Sequence, residues 1–296
     1  MVFNVTHITT YKYNAPVNYC HNIATLRPRN SDGQELLDYK IQINPKPAEI
    51  TERVDFFGNY ITRFSIQTQH DTLKVTTKSK IVRDYGAKYD SFFSDACKRV
   101  TMNDALYVLK GNDPAVIEAK QFILESIFIR KIDKSIKEYA ERSFRGDRSV
   151  FDAAYELMQR IYTDFDFVSG FTSISTPIEE VMKEKKGVCQ DFAQIAIACI
   201  RSVGLPARYV SGYIETLPPP GKEKLVGADA SHAWFSIFIP GFGWVDFDPT
   251  NNQIPKNQHI VVGWGRDYYD VPPLKGVVYG SGKSKLKVSV DIARID

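Results

Sequence analysis

At 296 residues the chain can bury a sizeable core, and its length favours two domains over one. Apolar residues make up 43% and charged residues 25%, which excludes a disordered or fibrous chain, while 38 basic against 35 acidic residues are too evenly balanced for a nucleic-acid partner. No stretch approaches ~18 consecutive apolar residues, so no membrane span is expected. The start, Met1-Val2-Phe3-Asn4-Val5-Thr6-His7, has no basic region followed by an apolar run and does not read as a signal peptide. Cys20, Cys97, Cys189 and Cys199 are widely spread and form no CxxC pair. That argues against a disulfide framework or zinc site and fits a reducing cytoplasm.

From Phe3 to about Val82 the pattern is strand after strand. Phe3, Val5, His7, Thr9, Tyr11 and Tyr13 alternate with the opposite face until Asn14-Ala15-Pro16 breaks the run. Residues 39–43 alternate again and stop at Asn44-Pro45-Lys46-Pro47. Asp55-Phe56-Phe57-Gly58-Asn59 reads as a turn before a strand at 60–66, and 73–77 with Ile81-Val82 close the section. Strand signals at roughly ten-residue spacing predict an antiparallel sheet packed on itself, a small sandwich or open barrel.

The character changes near Asp90, and a linker is expected around 83–95. Residues 114–127 and 132–144 read as helices, with Asp113-Pro114 as N-cap and first helical position. After Gly146, Asp147-Arg148-Ser149-Val150 opens a helix in which Phe151, Ala154, Tyr155, Met158 and Ile161 share one face. A short helix at 177–183 precedes Lys186-Gly187-Val188-Cys189-Gln190-Asp191-Phe192-Ala193. Counted from Cys189, residues Phe192, Ile195, Ala196, Cys199, Ile200 and Val203 fall at helical spacing, so one face is predicted to be buried.

After Gly204-Leu205-Pro206 the period returns to two. Residues 207–214 form a strand, and 217–227 a polar, Pro-rich loop able to flank a cleft. Strands at 232–239 and 244–247 are joined by Pro240-Gly241-Phe242-Gly243. Residues 277–279 and 286–292 alternate around Gly280-Ser281-Gly282-Lys283, a closing hairpin.

Cys189 heads its helix, where unpaired N–H groups and the partial positive charge of the helix end favour a thiolate. A cysteine nucleophile needs an imidazole to take its proton and later protonate the leaving amine, and the imidazole needs a carboxylate to fix its tautomer. His232, which begins a strand in Ser231-His232-Ala233-Trp234-Phe235, and Asp248, at the end of the next in Asp246-Phe247-Asp248-Pro249-Thr250, supply these roles. Trp234 shares a face with His232 and can shield the imidazole from water. The register is open: a four-residue Pro240–Gly243 loop would pair Ile239 with Trp244 and put Asp248 on the wrong face, whereas an odd loop or a bulge would bring it to His232. Asp246 is the rival for the orienting role.

The remaining candidates read as structural. Cys199 lies nearly three turns along the buried face of its helix, and Cys20 and Cys97 show no activating pattern. His7, His21, His70 and His259 read as structural or exposed. Asp191 serves the first helical turn, where its charge suits the dipole.

Taken together, Gly187–Ala193, Gly204–Tyr213, His232-Ala233-Trp234 and Gly243–Thr250 resemble the bacterial transglutaminase-like superfamily, papain-like thiol enzymes often described as cysteine proteases. The blocks stand in the family's order over about 150–255. Thr6-His7-Ile8-Thr9-Thr10-Tyr11, Leu26-Arg27-Pro28 and Phe57-Gly58-Asn59 are similar to the β-rich domain that precedes the catalytic domain in many bacterial members. Arg266-Asp267-Tyr268 with Val271-Pro272-Pro273 is similar to the segment after the catalytic core. The resemblance implies an α+β fold: an N-terminal antiparallel β domain at 1–90, a papain/transglutaminase-like domain with helices packed on an antiparallel sheet at 91–275, and a C-terminal hairpin at 276–296. It also implies Cys189 as nucleophile, His232 as general base and acid and, from the Asp-Pro-Thr block, Asp248 as orienting carboxylate. The backbone N–H of Cys189 is one oxyanion donor, and Gln190, Tyr155 or Tyr162 are the options for another.

The expected chemistry is acyl transfer at an amide of a peptide or protein through a thioester, without metal or organic cofactor. Hydrolysis is preferred over transfer to an amine because no amine pocket is visible. The other classes kept open are a protein-glutamine γ-glutamyltransferase and a non-catalytic peptide-binding module.

Overall fold

The computed structural model describes residues 1–84, 86–216, 229–280 and 282–295, and the Pro-rich stretch at 217–227 lies outside them. The chain opens with β1 (Val2–Arg27), β2 (Gln34–Asn44), β3 (Glu49–Val54), β4 (Tyr60–Ile66) and β5 (His70–Arg83). Strand β1 does not stop at Asn14-Ala15-Pro16. It bends there and changes partners: residues up to Lys12 pair with β5, the register slips before Val17, and residues from Cys20 pair with β4. A proline has no N–H to give to a ladder, so it is tolerated where pairing is handed from one strand to another. The result is a seven-stranded antiparallel sheet ordered β2-β5-β1-β4-β3, completed by two late strands on β1.

Helices follow: α1 (Gly86–Phe92), α2 (Asp95–Lys98), α3 (Met102–Val108), α4 (Pro114–Lys120), α5 (Lys134–Glu141) and α6 (Val150–Asp164). Helix α4 starts as its Asp113-Pro114 signal predicts, with Asp113 accepting the Ala115 N–H at 2.9 Å. It ends well short of residue 127. The buried Arg201 guanidinium donates to the Leu124 carbonyl and to Ser126 Oγ, and the Ser126 N–H turns to the Ile129 carbonyl, so side-chain and loop bonds replace the helical ladder there.

Next come β6 (Asp166–Phe167), α7 (Ile178–Glu184), β7 (Lys186–Gly187) and α8 (Cys189–Ser202). The periodicity predicts one buried face for α8, but every residue from Asp191 to Arg201 is buried. The helix is the centre of the core, with β9 on one side and α5, α6 and α7 around the rest. Burying a side chain such as Phe192 stabilises by about 1.5–3 kcal/mol.

The chain continues through β8 (Ala207–Ile214), β9 (Ala230–Ile239), β10 (Gly243–Phe247) and β11 (His259–Gly265), a four-stranded antiparallel sheet in the order β10-β9-β8-β11. Sequence reading passes over β11, whose Ile260-Val261-Val262 is too short an apolar run to declare itself. This sheet is shared: Phe235 and Ile237 join the helical core, while Tyr213, Ile260 and Val262 pack against Phe3, Val5 and Ile81 of the larger sheet.

The last strands, β12 (Leu274–Gly280) and β13 (Ser284–Arg294), correct the expected hairpin. Among the described residues they pair not with each other but in succession along β1, from Ala24↔Leu274 to Val17↔Gly280 and then from Tyr13↔Ser284 to Phe3↔Arg294. The glycines around residue 281 accommodate the bend opposite Asn14. A Cβ on Gly282, whose φ is +134°, would stand 2.2 Å from Asn14 Oδ1.

Candidate active site

Strand β7 leads directly into α8 through Val188, whose extended backbone is the N-cap. Valine has no side-chain acceptor, so the cap is made from the other direction. Asp191 Oδ2 accepts the Val188 N–H at 2.8 Å and the Thr172 hydroxyl at 2.6 Å. Gly187 makes room for it, because a Cβ there would lie 2.8 Å from Asp191 Oδ2. Asp191 is therefore part of the helix start, and burial pushes its carboxyl above the usual range. Cys189 is fixed at the first helical position, half-buried, whereas Cys20, Cys97 and Cys199 are fully buried.

The loop between β9 and β10 has odd length. Ile239 pairs with Gly243, not Trp244, leaving Pro240-Gly241-Phe242 as the connection, and Gly241 and Gly243 take φ of +83° and +80°. Phe247 then lies opposite Phe235, and one further step brings Asp248 level with Trp234, two residues from His232 on the same face. Asp248 Oδ2 meets His232 Nε2 at 2.8 Å. Asp246, one repeat away, accepts the Trp234 indole N–H at 3.1 Å instead.

Asp248 is fully buried and saturated with donors. Oδ2 also accepts from His259 Nε2 at 3.0 Å and Asn251 Nδ2 at 2.8 Å, while Oδ1 accepts the backbone N–H groups of Thr250 and Asn251 at 3.0 and 3.3 Å. Burial would raise the pKa of this carboxyl, but the bonds from His232 and His259 outweigh it and hold Asp248 well below the usual range. For His232 burial acts to lower the pKa. The hydrogen bonds to Asp248 and to Cys189 prevail and raise it to about 10. With Nε2 engaged by Asp248, Nδ1 is the nitrogen left for the thiol. Burial lowers the pKa of His259, which is then neutral and donates through Nε2.

His259 and Asn251 are the members of this cluster that sequence reading misses. Asn251 carries a local signal, since an Asp followed by residues that return N–H groups to it forms an Asx turn. His259 carries none, because it arrives through the pairing of β11 with β8. His232, Asp248 and His259 also bring two imidazole nitrogens and a carboxylate oxygen within 4.8 Å of one another. A divalent metal could use that donor set, at the cost of both N–H···Oδ2 bonds.

Cys189, Gln190 and His232 open on a cleft of about 280 Å³. The larger sheet forms its opposite wall through Thr9 and Tyr11 of β1 and Leu286 and Val288 of β13. Apart from Cys189 and His232, its ionisable lining is uncharged near neutrality: burial drives His7 down to about 4 and Tyr268 up to about 12, and it raises Tyr11 and Tyr209. Gln190 lies in the cleft, so it stays an option for the oxyanion role. Tyr155 and Tyr162 sit on exposed parts of α6 and do not line it. Trp234 does not reach the cleft either. Its N–H is spent on Asp246, and its ring backs His232 and His259 at centroid distances of 6.0 and 5.1 Å.

Residues 3–82 match the bacterial transglutaminase-like N-terminal region, and residues 137–249 match the transglutaminase-like superfamily. An uncharacterised protein of Mycobacterium tuberculosis is 40% identical over 298 residues, spanning 98% of this chain and 92% of its own. A protein-glutamine gamma-glutamyltransferase of Pseudomonas aeruginosa is 36% identical over 73 residues, 24% of this chain and 11% of that protein. In fold, the chain is similar to the crystal structure titled "Putative Cysteine Protease from Cytophaga hutchinsonii", with a TM-score of 0.76 at 23% identity over 100% of this chain and 91% of that one. Two matched regions in sequence and a relative aligned over nearly the whole length lead to one conclusion: the chain belongs to the transglutaminase-like superfamily.

Proposed function

We propose that the protein is a thiol-dependent acyl-transfer enzyme acting on amide bonds of peptides or proteins, with water as the final acceptor. The observation that carries this reading is His232, anchored through Nε2 to Asp248 and facing Cys189 across the same cleft, where the two groups couple electrostatically. With its pKa raised to about 10, His232 is already imidazolium near neutrality, and the Cys189 sulfur paired with it attacks the substrate carbonyl carbon. The oxyanion is received by the N–H groups at the start of α8, which have no intrahelical acceptor, with the Gln190 side chain beside them. The imidazolium returns its proton to the nitrogen as the C–N bond breaks, releasing the amine and leaving a thioester on Cys189. His232 then takes a proton from water, hydroxide adds to the thioester, and the carboxylic acid and the free thiol are regenerated.

Asp248 stays ionised throughout, holding the imidazole in orientation and stabilising its charged form. The walls of the cleft favour neutral, apolar groups flanking the scissile amide. Among the described residues no carboxylate lines it to receive an ammonium group, which supports water over a lysine-like acceptor. The test is to incubate glutamine-containing and apolar peptides with and without a primary amine and to follow both products by mass spectrometry. Hydrolysis that persists in excess amine supports the proposal. Amine incorporation that displaces it makes the protein a protein-glutamine γ-glutamyltransferase, and peptide binding without turnover makes it a recognition module.

A further inference from the structure

A second cavity, of about 300 Å³, lies on the opposite face of the four-stranded sheet. Alternation along β8 separates the two: Tyr209 and Ser211 line the cleft of Cys189, while Arg208 and Val210 line this one. Arg208 is 8% exposed, and its guanidinium is held between two indoles, 4.3 Å from the ring centre of Trp244 and 3.8 Å from that of Trp264. Its Nε is buried without a hydrogen-bond partner, and among the described residues Arg208 makes no ion pair. Burial lowers its pKa to about 9, which leaves it charged at neutral pH. A guanidinium held in place by two indoles, with a buried Nε that has no acceptor, is oriented to offer its donors to an arriving ligand, and its planar geometry suits a carboxylate.

The rest of the lining narrows the choice. Asp32, Glu118 and Asp246 set three carboxylates against two guanidinium groups, Arg208 in the lining and Arg29 on the same Trp264 ring, so the surroundings are acidic on balance and a ligand of purely negative charge is disfavoured. Phe92 and Phe238 make the remaining wall apolar, and the volume is at the small end of ligand pockets. From these features we infer that the cavity binds a free α-amino acid with an apolar side chain, its carboxylate on Arg208, its ammonium toward Glu118 and Asp246, and its side chain against the phenylalanines. Asp246 also accepts from Trp234, so the site shares a wall with the packing behind His232.

Calorimetric titration of the whole protein at neutral pH tests this with L-leucine, N-acetyl-leucine, which lacks the ammonium, and leucinamide, which lacks the carboxylate. L-leucine binds, and each blocked compound binds at least about tenfold more weakly, the loss expected for a charge-assisted hydrogen bond. R208Q weakens L-leucine by a similar factor without changing the rate of Cys189 alkylation. Glu118 is exposed, so E118Q keeps the test intact if R208Q folds poorly. It weakens L-leucine and leaves N-acetyl-leucine unchanged. Absence of binding by millimolar L-leucine, equal binding of the blocked compounds, or full affinity in E118Q overturns the assignment.

Discussion

The two cavities on either side of the four-stranded sheet are built on opposite plans. Among the described residues, the cleft of Cys189 carries no fixed charge beyond its Cys–His pair, and the carboxylate bonded to that histidine, Asp248, is buried behind it. The cavity of Arg208 presents its charges directly to the space they enclose. For the amide chemistry proposed above, whose reacting group is neutral, the first plan would concentrate electrostatics on one proton path, where low dielectric strengthens it. The second suits recognition of a ligand that is itself charged. One strand, β8, serves both by alternation, and a single residue of register separates the two chemistries.

Cys189→Ala should abolish turnover and thiol labelling of the cleft while leaving L-leucine titration unchanged, measured on the same preparation. Asp248→Asn should lower turnover by about 100- to 10,000-fold, since the amide no longer stabilises imidazolium or enforces its tautomer. The measurement is kcat against an apolar peptide, with folding checked by thermal melting. His259→Gln acts one step further out and should cost less, about 1.5–3 kcal/mol of stability from one bond to a charged group, read from denaturant unfolding. The stability–pH profile sharpens the same point. His232 has its pKa raised from 6.5 to about 10, so its contribution is complete below about 6.5 and is lost as pH rises to about 10. Asp248 is shifted downward, so its contribution is present above the ordinary carboxylate range and is lost in acid. Thermal melts should therefore show falling stability on the alkaline side, and His232→Gln should flatten that slope. The smallest effect belongs to Tyr155→Phe and Tyr162→Phe on α6, which should leave kcat and KM of the wild type, because neither residue lines the cleft.

How much of this was legible in the chain depended on whether the signal was local. The start of α8 is written in consecutive residues: Gly187 leaves the space, Asp191 caps the preceding N–H, and Cys189 takes the first helical position. The order of His232 and Asp248 on successive strands was equally readable. Their register was not, because it rests on two glycines with positive φ that allow a three-residue loop, and many loops fit the same sequence. In sequence His259 reads as structural or exposed, because its place is set by β11 pairing with β8, a contact invisible to alternation. Pro16 misled for a related reason: a proline stops a ladder only where an N–H is needed, and β1 changes partners at that point. Closing strands that share β1 in succession alternate as a hairpin does, so the pattern alone could not tell them apart.

The central claim is that Cys189, His232 and Asp248 work as one unit, and the most direct measurement is the rate of Cys189 alkylation by iodoacetamide at about pH 6–7, where an unassisted thiol reacts slowly. Cys189 should be modified rapidly, ahead of the three buried cysteines, at least about tenfold more slowly in His232→Gln, and at an intermediate rate in Asp248→Asn. Equal rates in all three proteins would contradict it.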